Sequence, residues 1–173
     1  MNKTVITVLG LFFLGLFSGC APVTKQEQTL EAPILSHLNI SQKKVYIQST
    51  KNSLRTYRRL AEDLGQRQKP KSFNALGRET DKFIQTYVVP IMEDAEATSN
   101  LETKLDVAKL QLLSGFVYAE LGEKAKTRNC LARIADNFGS DASIMSATLG
   151  EPDLGYATFS DGVGALKQML THI

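Results

Sequence analysis

Residues 101–122 constrain the fold more than any other part of the chain. Leu101, Leu105, Ala108, Leu112, Phe116 and Ala119 recur at helical spacing and form one apolar stripe. Leu110, Leu113, Val117 and Leu121 form a second. A helix that is apolar on two sides belongs between neighbours, not on a surface. Ser114, Gly115 and Ala119 are small, so another helix can approach closely there. Ser99 and Glu102 stand at capping-box spacing before this helix, and Gly122 ends it.

The flanking sequence supplies the neighbours. Over 41–64, Ile47, Leu54, Tyr57, Ala61 and Leu64 keep helical spacing, with Ser41 as cap and Gly65 as stop. Ser72 opens a second helix through Phe73, Leu76, Phe83, Ile84, Tyr87 and Val88. Pro90 lies inside it and predicts a kink or a split, because it lacks the N–H that the helix ladder needs. After Gly122, Thr127, Leu131, Ile134 and Phe138 line one face of a fourth helix. Residues 139–159 are rich in Gly, Ser, Asp and Pro and predict a long loop. Ser160 or Asp161 then starts a short last helix carrying Leu166, Met169 and Leu170. No run has the alternation of a strand. With 43% hydrophobic and 22% charged residues, the composition is that of a globular protein. The expected fold is all-α over 41–173, with about five helices paired as antiparallel hairpins in a small bundle.

The first twenty residues obey a different logic. Lys3 gives a positive start, and residues 5–17 are apolar apart from Thr and Gly. This run is shorter than the roughly 18 to 20 residues a membrane-spanning helix needs, and it fits the apolar core of a secretory signal. It closes with Phe17, Ser18, Gly19 and Cys20: an apolar residue, two small ones, then Cys. That order resembles the lipobox of a bacterial lipoprotein precursor. The resemblance implies cleavage between Gly19 and Cys20, removal of residues 1–19 as a signal peptide, and acylation of Cys20 with chains such as palmitate. Ala21, where Asp would signal inner-membrane retention, implies the outer membrane, on its periplasmic side. Residues 20–40 are polar, hold two prolines and show no period, and read as a flexible tether. With Cys20 acylated, Cys130 is the one remaining thiol, so no intrachain disulfide is expected.

A second resemblance covers residues 108–139. Gly115, Tyr118 and Gly122 are similar to the first helix and turn of a tetratricopeptide (TPR) repeat, and Leu131 and Ile134 to apolar positions of its second helix. Gln111, Ser114, Thr127 and Gly139 depart from the pattern, and no second copy lies 34 residues away. The resemblance implies a TPR-like hairpin that offers a groove to partner helices or peptides.

Charge is unevenly spread. Residues 42–82 hold eleven basic and four acidic side chains, whereas 83–173 hold seven basic and twelve acidic. Lys51, Arg55, Arg58 and Arg59 lie close to one side of the first helix and form the candidate binding face. Two readings stay open: a surface for anionic lipid or cell-wall polymer, or a helix face that pairs with the acidic half. No nucleic-acid partner is expected, since no reading motif is present. Catalytic motifs are missing: no HExxH, no GxSxG, no phosphate-binding glycine loop and no Cys/His cluster. Neither a metal nor a cofactor is expected. Glu93, Asp94 and Glu96 fit a solvated helix end better than an acid–base pair, and Cys130 fits a small buried hydrophobe better than a reactive thiol. The expected function is non-enzymatic: a lipid-anchored scaffold or assembly accessory for an envelope complex, in one version pilotin-like, escorting a secretin or pilus component. The alternative is a basic-face module for cell-wall polymer or anionic lipid.

Overall fold

The computed structural model describes residues 35–66, 70–150 and 154–173. The expected lipobox residues Gly19 and Cys20, and most of the expected tether, lie outside them. Among the described residues the fold is all-α. Five helices have fourteen or more residues: α1 (Ile40–Gln66), α2 (Pro70–Phe83), α5 (Lys104–Glu120), α6 (Lys124–Phe138) and α8 (Phe159–His172). Three are short: α3 (Val89–Glu93), α4 (Ala95–Ser99) and α7 (Ala142–Met145). The only β pairing among these residues is an isolated antiparallel bridge between Thr148 and Thr158.

Helix α5 is the central element. Of residues 107–119, all but Lys109 are buried. Its two apolar stripes are covered by α1 on one side and by α6 and α8 on the other. Leu54 of α1, Ile134 and Phe138 of α6, and Leu166 of α8 complete this core, each at most 1% exposed. Gly115 is what lets α8 come so close. A Cβ placed there would stand 2.4 Å from Leu166 Cδ2 and 3.3 Å from the Cys130 Cβ. Gly122 makes the α5–α6 turn with φ of 71°, a left-handed conformation that costs glycine little.

Several helix ends differ from expectation, each for a local reason. The α1 cap is Asn39, not Ser41: Asn39 Oδ1 accepts from the Gln42 N–H, and Gln42 Oε1 accepts from the Asn39 N–H. Ser99 and Glu102 do not form a capping box. Ser99 belongs to α4, where its hydroxyl donates to the Ala95 carbonyl, and Asp94 caps that helix by accepting from Ala97 N–H. Leu101 consequently falls in the turn before α5 and is 94% exposed. Pro90 does not break its helix. The ladder widens to a π turn over Ile84–Val88, with Val89 N–H donating to the Ile84 carbonyl, immediately before the proline. The wider turn makes room for the ring, and the helix runs on to Glu93. Helix α8 is capped by Thr158, one turn ahead of Asp161, which completes a reciprocal capping box.

The described part of 139–159 is mostly loop, as expected, with one short helix and several side chains packed on the core. Asp141 caps α7, and beyond it Leu149 and Leu154 are buried, at 0% and 6% exposure. The Tyr156 ring stacks on Phe116 of α5 at 5.7 Å. The Lys104–Asp141 ion pair ties the start of this segment to α5.

Candidate functional site

The sequence pointed to the basic side of α1, and the structure divides it. Lys43, Ile47, Lys51, Leu54, Arg58 and Ala61 form a single helical stripe that faces the core, so three cations share a face with three apolar residues. Lys51 is 2% exposed, and its ammonium lies 3.0 Å from Asp106 Oδ1 on α5. Burial pulls its pKa down, and Asp106 restores it only in part, leaving it below the ordinary lysine value. Arg58 spreads its guanidinium over the Phe116 ring at 4.9 Å, with Glu62 at 3.1 Å and Glu120 at 3.8 Å. Arg55 is half-buried and donates to Asn52 Oδ1 at 2.6 Å. Of the four expected binding residues, only Arg59 is fully on the surface. The structure thus sets Lys51 and Arg58 between helices and turns Arg55 and Arg59 outward. This pairing with acidic residues of the C-terminal half is the second of the two readings the charge distribution left open.

A network around Lys43 escaped the sequence reading. Lys43 is 3% exposed and reaches both Asp94 oxygens at 2.9 Å and Glu96 Oε2 at 2.6 Å. Burial lowers the Lys43 pKa, but the two carboxylates more than reverse this and hold it above the ordinary value. Burial alone would raise Asp94, whereas Lys43 and the Ala97 N–H hold it below the usual carboxylate range. Asp94 therefore caps α4 and clamps α1 at once. The acidic run 93–96 is a structural tie between α1 and α4, and two of its three carboxylates are committed to Lys43. The available signal was Lys43's phase, one turn before Ile47 on the buried stripe.

A polar cleft of about 130 Å³ opens between α2 and the α5–α6 turn. Phe73, Asn74, Gly77 and Arg78 line it from α2, with Leu121 and Lys126 from the turn and α6. At its edge the Tyr118 hydroxyl donates to Asp81 Oδ1 at 2.8 Å, and Lys126 Nζ lies 3.1 Å from the same oxygen. Burial pushes the Tyr118 phenol up, and Asp81 pushes it further. Burial would also raise Asp81, but Tyr118 and Lys126 outweigh it and hold the carboxyl low. A phenol kept protonated and a carboxylate kept ionised make a stable donor–acceptor pair. They do not make a base poised near neutral pH. Sequence reasoning placed Tyr118 in the hairpin and had no signal for Asp81, which lies 37 residues away.

Cys130 is buried against α5, and burial pushes its thiol up to about 12. Among the described residues no group of His, Cys, Asp and Glu is arranged to hold a metal ion, and no helix is long and apolar enough to cross a membrane. Compared with known protein families, curated proteins and solved structures, the chain matches none.

Proposed function

We propose that this chain is a non-enzymatic lipoprotein of the outer membrane, held by acyl chains on Cys20, whose helical domain serves as a scaffold or assembly accessory for an envelope complex. The observation that carries the reading is the ordered run of Lys3, the apolar residues 5–17, and Phe17-Ser18-Gly19-Cys20. Two or three acyl chains, at roughly 0.8 kcal/mol per buried methylene, anchor a protein almost permanently. Ala21 after the cysteine supports sorting to the outer membrane. The all-α fold fits the second half of the reading: helical hairpins present faces and grooves that accept a partner's helix or extended peptide. The polar networks at Lys43 and Tyr118 tie helices together and leave no reactive group poised for chemistry in either place. Within this reading a pilotin-like role is the most specific version.

The test is crosslinking and co-purification of the native protein from host membranes, with Cys20→Ala alongside. The expected result is a specific envelope protein that co-purifies with the wild type and is lost or mislocalised with the variant. Recovery of the wild type alone, or with wall polymer that salt washes away, overturns the scaffold reading.

A further inference from the structure

The basic half of the chain is not uniformly exposed. On α1, Lys43, Lys51 and Arg58 are drawn into pairs with carboxylates of α3–α5, their neighbours or their own helix. On α2, Lys71, Arg78 and Lys82 are all exposed, and none forms an ion pair among the described residues. Their spacing, i, i+7 and i+11, puts them within about 40° of one line along the helix, over a length of about 16 Å. Of the carboxylates nearby, Glu123 lines the cleft beside Arg78 and lies 3.8 Å from Lys126. Asp81 is already held by Tyr118 and Lys126. Glu79 is exposed but lies about 60–100° round the helix from the three cations. Arg78 also borders the polar cleft that Lys126 shares.

The character of this face selects its partner. A protein interface is built round apolar or aromatic anchors. The large exposed apolar residues here are Val45, Leu60 and Leu101, and none is on α2. An anionic bilayer asks only for cations in a row at its surface. We propose that α2 is the surface on which the tethered domain meets an anionic phospholipid bilayer, with headgroup phosphates along Lys71, Arg78 and Lys82. The inference rests on the lipid-anchor reading for its tether. An anchor on Cys20 would keep Leu35 within about 50 Å of the membrane, the most that fifteen peptide units can span. Tethering turns a weak attraction into a population shift, because the local concentration of headgroups is fixed. Each cation near such a surface contributes roughly a factor of five, so the three together give about a hundredfold.

The experiment uses the full chain purified from host membranes and reconstituted on two vesicle types: phosphatidylcholine alone, and phosphatidylcholine with about 30 mol% phosphatidylglycerol. Flotation with neutral vesicles reports the anchor. Acetylation footprinting of lysines, read by mass spectrometry, reports the docking face. Lys71 and Lys82 are expected to be several-fold less reactive on anionic than on neutral vesicles, while Lys44 and Lys124, exposed on α1 and α6, stay unchanged. Raising salt to about 0.5 M, where the Debye length falls to a few ångströms, restores their reactivity. The triple variant Lys71→Gln, Arg78→Gln, Lys82→Gln is expected to lose the difference between vesicle types that a conformation-independent label on the domain records. Equal reactivity of Lys71 and Lys82 on both vesicles, or shielding of Lys44 or Lys124 instead, overturns the proposal. Failure to float with neutral vesicles overturns the anchor and leaves the comparison on anionic vesicles to judge the docking face.

Discussion

Lys43 illustrates how a single charged residue can hold several elements. It has given up nearly all its water, and in return it meets three carboxylate oxygens within 2.9 Å. Removing one partner of a buried pair typically costs about 3–5 kcal/mol because the other charge is stranded. Here the cost is smaller, since Glu96 is 56% exposed and Asp94, though 12% exposed, keeps the Ala97 N–H. Lys43→Ala is expected to lower stability by about 2 kcal/mol, measured by urea unfolding. This network and two others, Asp81 with Tyr118 and Lys126 and Asp141 with Lys104, fix the acid response. Asp94, Asp81 and Asp141 all have folded pKa values below the ordinary carboxylate value. A depressed folded pKa adds stability above the unfolded value, near 3.9, and that stability is lost as pH falls through the folded one. The urea midpoint should therefore hold steady down to about pH 5, then fall below about pH 4, and fall less steeply in Asp94→Asn. Cys130 gives a third check. With its thiol pushed up to about 12 and buried, it should react with a disulfide reagent at pH 8 only as the chain unfolds. A native-state rate close to that of a free thiol would contradict the packing of α6 on α5.

Helices with long periodic stripes were legible from residues alone; their ends were not. The α5 stripes predicted a buried central helix, and α1, α2, α6 and α8 follow from the same 3.6-residue period. The ends depend on competition between caps that sequence spacing cannot rank. Ser99 and Glu102 had the right separation, yet Ser99 falls at the end of α4, which Asp94 caps, and Lys43, 51 residues away in sequence, holds that carboxylate. The described part of 139–159 is mostly the loop its composition predicts, with α7 as a short helix, but two buried leucines and a stacked tyrosine pack it onto the core. The basic stripe of α1 misled in the opposite way, because helical phase put Lys51 and Arg58 beside Leu54 and into the core, where their partners come from α5. At this scale the α5–α8 contact is the most sensitive. Leu166 is fully buried and has nowhere to turn when a side chain grows at Gly115. Gly115→Val should cost about 2 kcal/mol and lower the Tm by about 5 °C in a thermal melt, whereas the same change at Gly77, where an added Cβ meets nothing within 4 Å, should have a much smaller effect.

For the whole molecule, the form and the proposed address come from different parts of the chain. The helical domain draws its stability from the α5 core and from ion pairs between helices, with no disulfide among the described residues. The address proposed for it rests on residues 3–20, on their order of charge, apolar run, small residues and cysteine rather than on packing. Intact mass spectrometry of the protein extracted from host membranes tests the central claim most directly. The expected product is a chain that begins at Cys20 and carries a glycerol-linked acyl modification, and a Cys20→Ala form that is neither acylated nor processed at that bond. A chain that retains residues 1–19, or begins elsewhere with Cys20 unmodified, would contradict it.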